Sequence, residues 1–334
     1  MNRLSKKDIY RYTGDVSQIF QAKQYAFTEG RAAGVRAVDV NNGSGLQFTV
    51  LADRAMDIGA LSFRGVNFSY SAGAGITAPA YYDDRGLGWL KTFGGGFLTT
   101  CGLSQAGSPC DCDGEELGLH GDISTAPAEE LCVDTRMDGD APEIVITGKM
   151  RTGRLFGGNL WLRRSMTVRY GENRIYLKDI IENRGGTASP CMVLYHFNLG
   201  YPLLDESISF DTEAEYLRPR DSDAEKGEAH RLGFSEPKAG FREQVFYYRN
   251  RASANGLCNA GIFNERLGTG VRIWTDPKQL PDLIQWKNAG YGDYVMGIEP
   301  ANCLPEGRRR QKEYGLEYLG PSEEKTVDIS IEIL

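Results

Sequence analysis

Apolar residues recur at every second position along much of this chain, and this spacing limits the possible fold more than any other feature. Leu46, Phe48 and Val50 alternate with polar residues, as expected for a strand that buries one face. Two further alternating segments, 165–170 and 175–181, flank a short polar turn, which predicts a β-hairpin. The chain is therefore expected to consist mainly of β-strands.

Many turns should connect these strands, because glycine supplies 41 of the 334 residues, about 12% against a usual ~7%. Helical spacing of apolar residues occurs only in short pieces near 5–12 and 16–21. The predicted fold class is all-β, a large antiparallel β-sandwich with few short helices, in a single domain spanning residues 1–334. Further strands are predicted in the segments 143–150, 191–197, 270–276, 283–287, 294–300 and 326–334.

The charge balance and hydropathy argue against several classes of partner. With 38 basic and 45 acidic residues, the formal net charge is −7, so no nucleic-acid partner is expected. No run approaches 18 apolar residues, and the N-terminal segment lacks the apolar core of a secretory signal. These features predict a cytoplasmic protein without a membrane partner. They leave the oligomeric state open, a homodimer included.

The motifs argue against a bound metal or organic cofactor. The seven cysteines are expected to be reduced thiols, and the pair Cys110 and Cys112, interpreted as part of a loop, lacks the second pair of a structural zinc site. The glycine-rich segment 93–103 lacks the lysine of a phosphate-binding loop. The glycines of segment 73–75 do not complete a dinucleotide-binding motif either. No cofactor is predicted.

The chain has three histidines, and two of them occupy positions suited to a functional site. His120 lies between glycines, where the backbone can approach a ligand closely. His196 follows an apolar strand, and either residue could instead be a satisfied structural histidine. His230 lies in the charged segment 218–231, which is predicted to be a surface excursion.

Glu299 is the carboxylate that its sequence context singles out. It ends an apolar strand and precedes Pro300, which should stop the strand and place the carboxylate at a rim. Apolar neighbours would raise its pKa toward the range of a general base, although a salt-bridged structural role is equally compatible.

Aromatic residues near glycines or strand ends could form the faces of a sugar-binding site. Polar groups close in sequence could bind the hydroxyls, and each aromatic residue could equally belong to the core. The aromatic candidates are Trp89, Phe93, Trp274, Trp286 and Tyr291, and the polar candidates are Gln285, Lys287 and Asn302.

Five short motifs, taken in order, carry a resemblance to a known family. They are LADRAMDIG (51–59), GGGFLTTCGL (94–103), LHG (119–121), YHFNLGYPL (195–203) and EPAN (299–302). Together they resemble the aldose 1-epimerase (galactose mutarotase)-like family, in an uncharacterised bacterial branch. The resemblance implies a β-supersandwich that interconverts the anomers of a free sugar without metal or cofactor.

The resemblance also implies roles for individual residues. Glu299 corresponds to the base that takes the proton of the C1 hydroxyl, and His196 to the acid that protonates the ring oxygen. His120 corresponds to a histidine that hydrogen-bonds the ring oxygen or a neighbouring hydroxyl. The family's substrate-binding Arg has no counterpart in segment 94–103, and Arg54 is our candidate for that role.

Substrate contacts and reaction class stay partly open at this stage. The family's hydroxyl-binding Asp is also unmatched, and Gln285 and Lys287 are candidates to replace it, with Trp286 and Asn302 as further substrate contacts. A monosaccharide or a sugar acid is expected as substrate, and a cation such as Lys287 or Arg54 in the cleft would favour the acid. The alternatives are a sugar isomerase or epimerase acting at C2 in the same cleft, and a non-catalytic carbohydrate-binding protein.

Overall fold

Antiparallel strands dominate the computed structural model, which describes residues 4–138 and 141–334. In this described part, the strands form sheets of eight, six and five strands together with three two-stranded pairs. The architecture confirms the predicted all-β sandwich.

The eight-stranded sheet contains the predicted hairpin and the C-terminal strand. Asn159–Arg169 pairs with Arg174–Asn183, and Glu324–Ile333 lies between Arg174–Asn183 and Thr269–Thr275. Alternate residues of the hairpin are buried because one face of the sheet packs into the main hydrophobic core. In spatial order the strands are Glu129–Arg136, Glu143–Gly153, Asn159–Arg169, Arg174–Asn183, Glu324–Ile333, Thr269–Thr275, Cys258–Asn264 and Ile208–Thr212.

The six-stranded sheet packs one face against the same core and carries a second hydrophobic cluster on its other face. Its strand Met192–Gly200 is buried along its whole length, because Tyr195 and Phe197 point into the main core while Met192 and Leu194 join the second cluster. The strands are β1 (Leu98–Leu103), β2 (Met192–Gly200), β3 (Glu215–Pro219), β4 (Gln244–Arg249), β5 (Asp282–Ala289) and β6 (Tyr294–Ala301), in the spatial order β3-β4-β5-β6-β2-β1.

A five-stranded sheet formed by the N-terminal region completes the large sheets. Its strands are Gln21–Ala26, Arg36–Asn41, Leu46–Leu51, Asp57–Phe63 and Val66–Asn67. The two-stranded pairs join Tyr70–Ser71 to Gly95–Gly96, Cys110–Cys112 to Glu115–Leu117, and Ser189–Pro190 to Tyr318–Leu319. Cys110 and Cys112 thus lie in a short hairpin rather than in the predicted loop.

Helices are short, as predicted. Both N-terminal pieces are present, the first capped by the Ser5 side chain, which accepts from the Asp8 N–H. No helix in the described residues is long and apolar enough to cross a membrane. The α-helices of that part are Lys6–Tyr12, Ser222–Gly227 and Arg308–Tyr314, and the 3₁₀ turns are Val16–Gln18, Gly30–Ala32, Pro79–Tyr81, Gly88–Lys91, Ile123–Thr125 and Glu228–His230.

Pro300 does not end its strand, and the expected position of Glu299 at a rim is wrong. β6 continues through Pro300 to Ala301, and Glu299 is 3% exposed. Pro300 pairs with Leu283 of β5, while the ladder to β2 is interrupted at Glu299 and Pro300. Proline has no backbone N–H to donate to a neighbouring strand. The strand therefore accommodates Pro300 at the point where its pairing with β2 is interrupted.

A buried ionic network lies between the six-stranded and eight-stranded sheets. Arg164 is 1% exposed and forms ion pairs with Asp57 and Asp179, both at 2.7 Å. Its guanidinium also donates to Thr100 Oγ1 of β1, and Tyr195 of β2 donates to Asp179. The network therefore ties β1 and β2 to the eight-stranded sheet.

Candidate active site

His196 and Glu299 lie side by side on neighbouring strands. β2 and β6 share one register, with Leu194 opposite Ala301, and in that register His196 falls opposite Glu299. Neighbouring strands are about 4.8 Å apart, and His196 Nε2 lies 3.2 Å from Glu299 Oε1. The structure thus brings together the two residues that the sequence analysis assigned to catalysis.

Burial sets the charge of this pair. His196 and Glu299 are 6% and 3% exposed. Burial lowers the pKa of His196 to about 3, and nearby His120 adds to the shift. Burial also raises the pKa of Glu299 well above its usual range, with the Glu243 carboxylate acting in the same direction and Arg220 opposing both. Burial therefore disfavours the charged form of both side chains, which favours a neutral pair with a single proton between Glu299 Oε1 and His196 Nε2.

Asn198 lies two residues beyond His196 on the same face of β2. Its Nδ2 donates to the His196 carbonyl at 2.9 Å, which leaves Oδ1 for the ring. Asn198 Oδ1 and His196 Nδ1 are both buried, and within the described residues neither has a partner of good hydrogen-bond geometry. The Asn198 side chain nevertheless raises the pKa of His196, against the larger effect of burial. A tautomer with its proton on Nδ1 would leave the Nε2 lone pair facing Glu299.

His120 reaches the pair from a loop. Its backbone φ is +58°, a conformation uncommon for a side chain other than glycine and often found at functional sites. The Gly107 N–H donates to His120 Nδ1 at 3.3 Å, which places the ring proton on Nε2. The ring centroid lies 6.1 Å from that of His196. Although part of the residue reaches solvent, burial of the ring lowers the pKa of His120 to about 4, so it is a neutral donor.

Three aromatic rings surround the histidines. Trp286 and Phe93 lie 5.2 and 5.7 Å from the His196 ring, centroid to centroid. Trp89 stacks on Phe93 at 4.5 Å and lies 4.7 Å from the His120 ring. These faces could contact the apolar side of a sugar ring and exclude water from the pair.

An ion pair at the edge of the cluster was not predicted from the sequence. Glu243 accepts from Trp286 Nε1 at 2.9 Å and from Arg220 at 2.8 Å, and its charge acts on both Glu299 and His120. Arg220 lies in the segment 218–231 that was predicted to be a surface excursion, and it is half-buried. The only signal in the sequence was that Glu243 closely precedes an apolar strand, which many carboxylates do.

Gly297 provides the space that the pair occupies. A Cβ at this position would lie 2.6 Å from Glu299 Oε1, 3.0 Å from Trp286 Cβ and 3.2 Å from His196 Cε1. The Glu299 carboxyl therefore occupies the space that a side chain at position 297 would need.

The structure does not bring Gln285 and Lys287 to this cluster. On β5, Ile284 pairs with Glu299 and Trp286 pairs with Gly297, so residues 285 and 287 point to the opposite face because side chains alternate along a strand. Gln285 donates to the Arg231 carbonyl and accepts from Tyr248, and Lys287 donates to the carbonyls of His230 and Gly233. Their polar groups bind the segment 218–233 instead of a sugar.

The remaining candidates also lie elsewhere. Asn302 accepts from the Val193 N–H and donates to the Cys191 carbonyl and to Glu317, so its amide is used in holding the backbone. Arg54 lines a separate cavity.

Two of the aromatic candidates are outside the cluster. Trp274 lies in the eight-stranded sheet and donates to Glu332, while Tyr291 is 71% exposed in a turn. Among the described residues, no group of three or more His, Cys, Asp or Glu side chains is arranged to hold a metal ion.

Comparison with solved structures identifies proteins of the same fold. A candidate aldose 1-epimerase from Klebsiella pneumoniae is 25% identical, with a TM-score of 0.89 over 94% of this chain and 83% of that one. A galactose mutarotase-like protein from Clostridium acetobutylicum is 12% identical (TM-score 0.67, 95% and 99% covered). A galactose 1-epimerase from Lactobacillus acidophilus is 14% identical (TM-score 0.57, 94% and 99% covered).

The structural neighbours confirm the predicted resemblance and the galactose mutarotase-like sandwich. A search of curated proteins found no match. A sequence profile does match residues 32–333. The chain therefore belongs to the family described as a domain of unknown function (DUF4432).

Proposed function

We propose that the protein is a mutarotase that interconverts the anomers of a free monosaccharide, with Glu299 and His196 as its acid/base pair. The observation that supports this most directly is the 3.2 Å approach of His196 Nε2 to Glu299 Oε1 inside a buried, aromatic-lined cluster. The mutarotase-like fold of the structural neighbours is consistent with a sugar substrate.

Mutarotation needs one proton removed and one supplied. In the proposed cycle, the shared proton first moves from Glu299 to His196 Nε2. The Glu299 carboxylate then takes the proton from the C1 hydroxyl while His196 gives its proton to the ring oxygen. The C1–ring oxygen bond breaks as the carbonyl at C1 forms. After rotation about C1–C2, the reverse transfers close the ring on the other face of the carbonyl.

The surrounding residues fit this chemistry in specific ways. His120, with its proton on Nε2, donates a hydrogen bond to the ring oxygen or a neighbouring hydroxyl. Trp286, Phe93 and Trp89 cover the reacting atoms and keep out water, which would otherwise compete for the protons.

A neutral sugar fits the cluster better than an acidic one. Lys287 points to the other face of the sheet, and the Arg220 guanidinium is already paired with Glu243 and Asp221. Glu243 adds a negative charge near Glu299. A substrate carboxylate would therefore find no unpaired cation here and would be repelled by the Glu243 charge.

The test is anomer exchange followed by NMR on a panel of neutral aldoses, ketoses and uronates. We expect the wild type to accelerate exchange of a neutral sugar, and Glu299→Gln to slow it by about a hundredfold or more. Glu324→Gln, which changes an exposed carboxylate in the eight-stranded sheet, serves as the control and should retain full activity.

Two outcomes would contradict the proposal. If the NMR signals of a sugar broaden on binding but its anomers exchange no faster, a carbohydrate-binding protein would be favoured. Deuterium appearing at C2 in D₂O would favour an isomerase or epimerase acting at that carbon, because mutarotation exchanges hydroxyl protons only.

A further inference from the structure

A cavity of about 220 Å³ lies beside the site, lined by the five-stranded sheet and the segment that carries Phe93. Tyr25, Phe27, Leu51 and Ile76 give it apolar walls. Two of its lining residues, Ser71 and Gly75, are exposed. The cavity is therefore open to a small molecule from solvent.

Arg54 contributes the charge in this cavity. It is 7% exposed, and its guanidinium donates to the carbonyls of Thr77 and Thr92, two lining residues, at 3.2 and 3.0 Å. A guanidinium has five N–H groups, so these bonds leave three for another acceptor. No carboxylate of the described residues forms an ion pair with Arg54, and its hydrogen bonds within that part of the chain are to these carbonyls.

Asp57 is the nearby carboxylate, and it is already bound. It also lines the cavity, but its oxygens accept from Thr100 N–H, Thr100 Oγ1 and Arg164. Burying a guanidinium without an ion-pair partner is costly, and proteins normally compensate such a charge. The Asp57 charge acts on Arg54 only at a distance and raises its pKa against the larger effect of burial, so an anion in the cavity would complete the compensation.

The cavity is separated from the His196–Glu299 pair by a shared wall. Thr92 lines the cavity, whereas Phe93 faces His196. Ser124, another lining residue, accepts from Trp89 Nε1 at 3.0 Å, and Trp89 stacks on Phe93. His196 and Glu299 are not among the lining residues.

We propose that this cavity is a second binding site, for a small organic carboxylate whose carboxyl group pairs with Arg54 and whose apolar body lies against Tyr25, Phe27 and Ile76. A planar guanidinium matches a carboxylate through two parallel hydrogen bonds. Among the described lining residues Arg54 is the one cation, which suits a single negative charge rather than a phosphate dianion. The site is independent of the proposed mutarotase activity.

Benzoate and its neutral analogue benzamide are suitable probes, with binding measured by titration calorimetry and ligand-detected NMR at pH 7. The wild type should bind benzoate and discriminate against benzamide. Arg54→Met should weaken benzoate binding about tenfold or more, the scale of a lost charged hydrogen bond, whereas Arg54→Lys should weaken it less.

Further variants keep the result interpretable if Arg54→Met fails to fold. Ile76→Trp fills the cavity and leaves Arg54 in place, so it should abolish benzoate binding. Glu299→Gln should bind benzoate as the wild type does, because the cavity does not include that residue.

Four outcomes would overturn the second site. One is no benzoate binding to the wild type, and another is equal binding of benzamide. The third is undiminished binding by a folded Arg54→Met or Ile76→Trp. The fourth is loss of binding in Glu299→Gln together with competition by uronates, which would assign the carboxylate to the sugar substrate.

Discussion

Gly297 shows how a single methyl group could disturb the acid/base pair. In Gly297→Ala the new Cβ, 2.6 Å from Glu299 Oε1, must displace the carboxyl from His196. Because misplacing a reacting group by about 1 Å can cost about a hundredfold in rate, we predict a loss of that order in anomer exchange with little change in overall fold. The matched control is Gly186→Ala, since a Cβ there meets no atom within 4 Å. Equal activity of the two variants would contradict the proposed geometry.

Glu299 should lower the stability of the protein at neutral pH. Its pKa in the folded state is raised above the ordinary value of 4.5 by burial, so the unfolded chain releases this proton at a lower pH than the folded chain does. Stability conferred by the protonated carboxyl is thus full below about pH 4.5 and is lost as the pH rises toward the folded-state pKa.

Glu299→Gln does not titrate, so it should gain stability relative to wild type as the pH rises above about 4.5, by up to ~1.4 kcal/mol per pH unit. Denaturant unfolding of both proteins between pH 5 and 8 measures the difference. A constant difference across this range would show that Glu299 is ionised in the folded protein.

At the scale of strands, alternation predicted much of the fold and part of the site. The sequence pattern identified the hairpin and β6. The pairing of β5 with β6 puts Ile284 opposite Glu299, so Gln285 and Lys287 face the other side of the sheet. Had this pairing been known, both residues would have been excluded from the site. A single sequence does not state which strands are neighbours. The continuation of β6 through Pro300 could not be predicted for the same reason, since it depends on which ladder bond is missing.

The Arg164 network is the element-scale feature with the clearest energetic consequence. Removing one partner of a buried ionic network leaves an uncompensated charge, at a cost of about 3–5 kcal/mol. We therefore predict that Arg164→Met destabilises the protein by this amount, because Asp57 and Asp179 lose their shared partner. Arg163→Met, next along the strand and 36% exposed in its side chain, should change the unfolding free energy by less than about 1 kcal/mol. Similar losses in both variants would contradict this role.

At the scale of the whole molecule, the site combines residues that are far apart in sequence. Trp89 and Phe93 precede β1, His120 lies in a loop, His196 is on β2 and Glu299 is on β6. The order of short motifs was enough to predict the fold and the residues that form the centre of the cluster. Glu243 and Arg220 belong to no motif, and the contact of Glu243 with Trp286 depends on the pairing of β4 with β5, which the sequence does not state.

The distribution of the four tryptophans gives the molecule an intrinsic optical probe. Trp89 and Trp286 flank the histidines, whereas Trp161 and Trp274 lie in the eight-stranded sheet. The indole N–H groups of the first two are bound to Ser124 and Glu243, and both rings lie beside the histidines, so a molecule that enters the site should change their surroundings. The fluorescence of Trp89 and Trp286 should therefore change when the site is occupied, whereas that of Trp161 and Trp274 should stay constant. Occupancy of the site can then be followed by tryptophan fluorescence in the unlabelled protein.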